Sequence, residues 1–143
     1  MGDFDGALGD LNRAIQLNPK LAEPYYNRGL VHIEKGAYDA AIEDFDRAIK
    51  LNSKIPQAYQ ERGYAWMSNG NFDKAIADFT QALELDPALA KSYLNRGLAL
   101  VVKGRDAEAE KDFQTCLQLD SGLKTELEQR IVIAKRIRAA LRP

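Results

Sequence analysis

The chain repeats itself every 34 residues, and that period constrains its fold more tightly than any single motif. Tyr25, Tyr59 and Tyr93 share one column of the repeat, Gly29, Gly63 and Gly97 a second, and Gly36, Gly70 and Gly104 a third. Four more columns are small or apolar: Ala7, Ala41, Ala75 and Ala109; Leu11, Phe45, Phe79 and Phe113; Ala14, Ala48, Ala82 and Cys116; Leu17, Leu51, Leu85 and Leu119. The 143 residues divide into a half repeat over 1–21, full repeats over 22–55, 56–89 and 90–123, and a terminal segment over 124–143. No stretch is left over for a second domain.

Each column has a physical reason. The first helix of a unit, around residues 23–35 in the first, carries Tyr25, Gly29 and His32 at three- and four-residue spacing, one face of a helix. Tyr59, Gly63 and Trp66, then Tyr93, Gly97 and Leu100, repeat that face. A glycine inside a helix costs about 1 kcal/mol relative to alanine. The cost is tolerable where a second helix must approach closely, and Ala41, Ala75 and Ala109 are the small residues expected to meet it. Gly36, Gly70 and Gly104 are placed to end the first helix in a left-handed conformation. The second helices are expected to run from about Tyr38, Phe72 and Asp106 to Leu51, Leu85 and Leu119. Asn18-Pro19, Asn52-Ser53, Asp86-Pro87 and Asp120-Ser121 close the units.

The run Gly36-Ala37-Tyr38-Asp39-Ala40-Ala41-Ile42-Glu43-Asp44-Phe45, matched by Gly70-Asn71-Phe72-Asp73-Lys74-Ala75-Ile76-Ala77-Asp78-Phe79, resembles the tetratricopeptide repeat. The third unit departs from it, with Arg105-Asp106-Ala107 in place of the aromatic and Asp, and Glu110 in place of Ile. The resemblance implies a right-handed, all-α solenoid of helix-turn-helix units. Its first helices line a concave face that commonly holds peptide segments of other proteins.

Composition excludes most other functions. One histidine, His32, and one cysteine, Cys116, leave no disulfide, no two-cysteine motif and too few ligands for most zinc sites. Both sit in columns otherwise filled by core residues, so each is expected to be packed rather than reactive. Asp44 and Asp46 look like a fragment of a calcium loop without its glycine and terminal glutamate. The glycines are spread through the repeats instead of clustered after a strand, which removes phosphate-binding loops. We therefore expect no enzyme, no metal and no cofactor. No apolar run approaches the roughly 20 residues of a membrane span, and the N-terminus lacks a signal-peptide pattern, so a cytoplasmic location is the default expectation.

Two charged columns run at the same period: Arg28, Arg62, Arg96 and Arg130, and Asp10, Asp44, Asp78 and Asp112. Opposite signs in register suggest a structural ladder. Pairing across repeat boundaries, from Asp10 with Arg28 to Asp112 with Arg130, uses every member, whereas pairing inside each repeat strands Asp10 and Arg130. The boundary-crossing pattern is the expectation.

The face expected to bind a partner is built from Tyr26, Asn27 and Leu30 in the first unit, Gln57, Gln60, Glu61 and Tyr64 in the second, and Lys91, Leu94, Asn95 and Leu98 in the third. The amides can donate to and accept from a peptide backbone, while the tyrosines and leucines offer apolar contact. A family mode that clamps acidic C-terminal tails with lysines, arginines and asparagines does not fit. Its places hold Tyr26, Leu30, Glu61, Lys91 and Asn95, of which only Lys91 agrees.

The ends differ from the middle. Residues 1–21 read as a second helix without its partner, leaving Ala7, Leu11 and Ala14 uncovered, so a homodimer through residues 1–17 is an alternative function. Leu123, Leu127, Ile131 and Ala134 fit a final helix that packs like a first helix and closes the stack, with Ile133, Ile137 and Leu141 continuing its apolar character. Residues 124–143 carry six basic and two acidic side chains, against fourteen and nineteen in residues 1–123. Cations near a helix C-terminus favour its dipole. A groove almost free of cations argues against RNA, the weakest reading, and leaves a protein or peptide partner as the main expectation.

Overall fold

A computed structural model of the chain describes residues 3–143; the part of the proposed dimer surface at residues 1–2 lies outside the described residues. Among the described residues all regular structure is helical: α1 Phe4–Leu17, α2 Ala22–Glu34, α3 Tyr38–Leu51, α4 Pro56–Ser68, α5 Phe72–Leu85, α6 Ala90–Val102, α7 Asp106–Leu119 and α8 Lys124–Leu141, with a 3-10 turn at Ser121–Leu123. None of these helices is long and apolar enough to cross a membrane. Helices α2 with α3, α4 with α5 and α6 with α7 form the pairs, and each pair stacks on the next.

The turn within each pair follows from one glycine. Gly36, Gly70 and Gly104 adopt φ of 72°, 79° and 77°, a region closed to most side chains. That conformation lets the Gly36 amide donate to Ile33 O at 2.9 Å and the Ala37 amide to His32 O at 2.8 Å, which satisfies the last carbonyls of α2. Between pairs, the residue after each second helix is extended, and its side chain closes the turn. Asn18 Oδ1 accepts from the Lys20 amide, Asn52 Oδ1 from Lys54, Asp86 Oδ1 from Ala88 and Asp120 Oδ1 from Gly122.

The core is a row of small units rather than one central mass. Phe45, Phe79 and Phe113 are buried at 0%, 0% and 6% exposure, each pressed on the backbone of a first-helix glycine. A β-carbon at Gly29 would lie 2.7 Å from Phe45 Cε1, and one at Gly63 2.9 Å from Phe79 Cε1. The glycine column therefore exists to admit the phenylalanine column. Ala41, Ala75 and Ala109 and then Ala48, Ala82 and Cys116 fill the remaining space, all buried. His32 is partly buried, with Nε2 3.6 Å from Asp44 Oδ2.

The charged ladder runs within repeats, opposite to the expectation. Arg28 grips Asp44 through Nε at 2.8 Å and Nη2 at 2.7 Å, Arg62 grips Asp78 at 2.8 and 2.8 Å, and Arg96 grips Asp112 at 2.8 and 2.7 Å. Only the remaining Nη1 crosses the boundary, to Asn12 Oδ1, Asp46 Oδ1 and Thr80 Oγ1. Each guanidinium also lies over the tyrosine one turn earlier, 5.7 to 5.8 Å from the ring centre. The sixteen-residue separation places arginine and aspartate opposite each other across the tight glycine–phenylalanine contact, and that geometry outweighs the count of pairs. Arg130 instead takes Glu126 at 3.2 Å, and no ion pair among the described residues involves Asp10.

The last helix also departs from the expected packing. Its main neighbour is α6 rather than α7. Leu127 and Ala134 are buried at 3% and 4%, and Arg138 donates to Val101 O at 3.1 Å and to Asp106 Oδ1 at 2.7 Å. Two sequence differences explain the shift. Where α4 and α6 carry the small residues Ala58 and Ala65, or Ser92 and Ala99, α8 carries Glu126 and Ile133. On the facing helix, Glu110 replaces the isoleucines Ile42 and Ile76.

Candidate functional site

Placing α8 along α6 builds a trough that the repeat pattern alone does not contain. Helices α4 and α8 border it, and α6 lies between them. Its apolar half, a cavity of about 260 Å³, is lined by Tyr64 and Met67 of α4, Phe72, Leu98 and Val102, and Ile133 and Ile137 of α8. Its polar half, about 420 Å³, is lined by Gln60, Glu61 and Tyr64, Lys91 and Asn95, and Glu126 and Arg130. Tyr64 and Arg130 belong to both halves.

The polar half is partly pre-organised. Ser92 Oγ donates to Gln60 Oε1 at 2.7 Å, and Gln60 Nε2 donates to Glu61 Oε1 at 3.2 Å. Asn95 is 7% exposed and its Oδ1 has no partner, a buried acceptor that costs about 1–3 kcal/mol while unmet. Tyr64 is steadied by an edge contact with Tyr38, ring centres 6.3 Å apart. Burial, with the Glu61 carboxylate adding to it, pushes the Tyr26 phenol above its ordinary pKa.

The eleven residues expected to form the partner face do not all meet. Gln60, Glu61, Tyr64, Lys91, Asn95 and Leu98 come together in the trough. Leu94, at 1% exposure, and Leu98, at 4%, are core residues in the cluster that includes Leu127 and Ala134, and only the edge of Leu98 reaches the cavity. Gln57 is exposed and outside the trough. Tyr26, Asn27 and Leu30 belong to α2, away from α8, with Tyr26 tilted against Phe45 at 5.9 Å. Glu126, Arg130, Ile133 and Ile137 were not among the expected residues. Their signal in the sequence is the stripe at three- and four-residue spacing on the final helix.

A stack of helix pairs ended by one further helix, with an amphipathic trough along its first-type helices, defines an α-solenoid of the interaction-repeat class. Tetratricopeptide repeat family models match residues 2–60, 56–89 and 90–122. The chain belongs to the tetratricopeptide repeat family. Among solved structures it is similar to MamA, at 31% identity over 87% of this chain and 72% of that one, with a TM-score of 0.79. It is similar also to the TPR domain of Arabidopsis OM64, at 26% identity over 85% of this chain and 96% of that one, TM-score 0.72. The second TPR domain of human RPAP3, solved in complex with the HSP70 peptide SGPTIEEVD, matches at 30% identity over 78% of this chain and 92% of that one, TM-score 0.70. No curated protein matches the chain.

Proposed function

We propose that the chain is a protein-interaction scaffold that holds a peptide segment in the trough between α4 and α8. The observation that carries this reading is the joining of an apolar slot to a polar half lined by Gln60, Lys91, Asn95 and Arg130. An apolar side chain fills the slot beside Tyr64, Ile133 and Ile137, and the backbone of the same peptide bonds to the polar side chains of the adjoining half. RPAP3's second TPR domain binds a peptide ending in acidic residues. Here the trough offers Glu61 and Glu126 beside Lys91 and Arg130, so a neutral, apolar-centred segment suits it better than an acidic tail. Peptide-library capture tests the reading. Selected peptides lose binding to a Tyr64→Ala, Asn95→Ala double variant, and unchanged capture sinks the trough assignment.

A second reading, self-association through α1, is supported by that helix's uncovered face. Among the described residues α1 buries no side chain, and Ala7, Leu11 and Ala14 stay half-buried in columns that are fully buried in the complete repeats.

A further inference from the structure

We propose that the trough takes an amphipathic α-helix of a partner protein, laid beside α8 and one repeat back along the concave face. This rests on the reading of the trough as a peptide site, and it names the form that the occupant adopts.

The chain itself shows how a helix fits this face. Leu94 and Leu98 of α6 stand at positions expected to face a partner, and Val101 continues their stripe. All three are buried, at 1%, 4% and 3% exposure, in one cluster with Leu127 and Ala134 of α8, and Ile131 packs against the same cluster. The last helix therefore lies in the groove of the third repeat as a ligand would, through a stripe at four- and three-residue spacing.

Thirty-four residues earlier, the same repeat positions hold Gln60, Tyr64 and Met67 of α4. These three line the trough and are only partly buried. Across from them α8 presents a second stripe, Arg130, Ile133 and Ile137. Each wall is a helical ridge, polar at Gln60 or Arg130 and apolar at Met67 or Ile137, about 10 Å long. Two turns of a helix match that length, with side chains at i, i+4 and i+7 reaching both halves from one face. Since α4 offers Gln60 where α6 offers Leu94, the partner's stripe is polar over Gln60 and apolar over Tyr64 and Met67.

Backbone chemistry selects a helix over an extended segment. Met67, Phe72, Leu98, Val102, Ile133 and Ile137, which line the apolar half, carry no oxygen or nitrogen in their side chains. An extended segment crossing them leaves N–H and C=O groups unpaired, and among the described residues there is no strand edge to pair with. A helix bonds its own backbone. Only the groups of an end turn stay free, and the polar half beside Gln60, Lys91, Asn95 and Arg130 meets those.

Capture of a random library of peptides about 15 residues long, enough for four helical turns, on the whole chain tests this. Captured peptides are expected to lose binding to the Tyr64→Ala, Asn95→Ala double variant and to carry apolar residues three or four apart. Ile137→Lys, on the exposed wall, reads the same dependence without altering α4 or α6. Bound, isotope-labelled peptide is expected to show helical carbon shifts. A proline placed mid-peptide, on the face away from the stripe, is expected to weaken binding about a hundredfold, because it breaks a helix. Apolar residues two apart, extended shifts and tolerance of that proline overturn the helix and leave the trough reading standing. Peptides bound equally well by the double variant and by Ile137→Lys, or no captured peptide, overturn both.

Discussion

Arg62 holds Asp78 in a two-pronged grip, Nε and Nη2 each 2.8 Å from a carboxylate oxygen, while its Nη1 reaches back to Asp46 at 2.7 Å. One side chain thereby ties the two helices of its repeat and fastens that repeat to the one before. Burial is the largest influence on the Arg62 guanidinium and opposes its charge, but hydrogen bonds and attraction from Asp78 and Asp46 outweigh it and hold its pKa above the ordinary value. Burial also pushes the Asp78 carboxyl upward, against the pull of Arg62.

Removing only the arginine is therefore the damaging change. Arg62→Met leaves Asp78 buried without its partner, and a loss of about 3–5 kcal/mol is expected in urea unfolding. Arg62→Met with Asp78→Leu recovers most of that loss, because a buried pair replaced by apolar side chains is often neutral. The coupling between Arg62 and Asp46, whose side chain is 41% exposed, is about 0.2–1 kcal/mol by the same cycle.

Gly63→Ala is expected to destabilise despite alanine's better helix propensity. The new β-carbon meets Phe79 Cε1 at 2.9 Å and Asp78 Cβ at 3.2 Å, and both are held in the core. Overpacking of this kind costs about 1–3 kcal/mol, against a propensity gain of about 1 kcal/mol. Phe79→Leu added to Gly63→Ala should return part of the loss, reproducing the leucine of α1 in the phenylalanine column. Thermal unfolding of the three variants reads both effects.

Tyr26 gives a pH signature. Burial first, and Glu61 second, raise its pKa in the folded chain from 10.0. A raised folded pKa means the folded state keeps a proton that the unfolded state releases. The stabilisation is full below pH 10.0 and is lost as pH climbs toward the folded value. Tyr26→Phe removes this slope from denaturation curves taken in that window, and Glu61→Gln lowers the midpoint of phenolate formation measured by absorbance.

The periodic columns made most of the fold legible. The tyrosine, glycine, alanine and phenylalanine columns set the helix pairs, and the structure places each in the role its size dictates. The ladder shows the limit of reading columns alone. Asp44 and Asp46 are two residues apart, and sequence does not tell which of them faces Arg28 and which faces Arg62; the three-dimensional stagger of the helices decides it. The trough shows a second limit. Leu94 and Leu98 look like surface positions by register, and they are buried because α8 lies on α6. The cause was written in Glu110, Glu126 and Ile133, but each is a single exception to a column, and exceptions carry direction only once the neighbouring helix is in place.

The most direct measurement of the trough is amide chemical-shift mapping of the isotope-labelled chain with a peptide selected by library capture. The largest shifts are expected on Tyr64 and Met67 of α4, Asn95 of α6 and Arg130, Ile133 and Ile137 of α8, with little change along α3, α5 and α7. Shifts concentrated on α3, α5 and α7, with the α4, α6 and α8 residues unmoved, would contradict it.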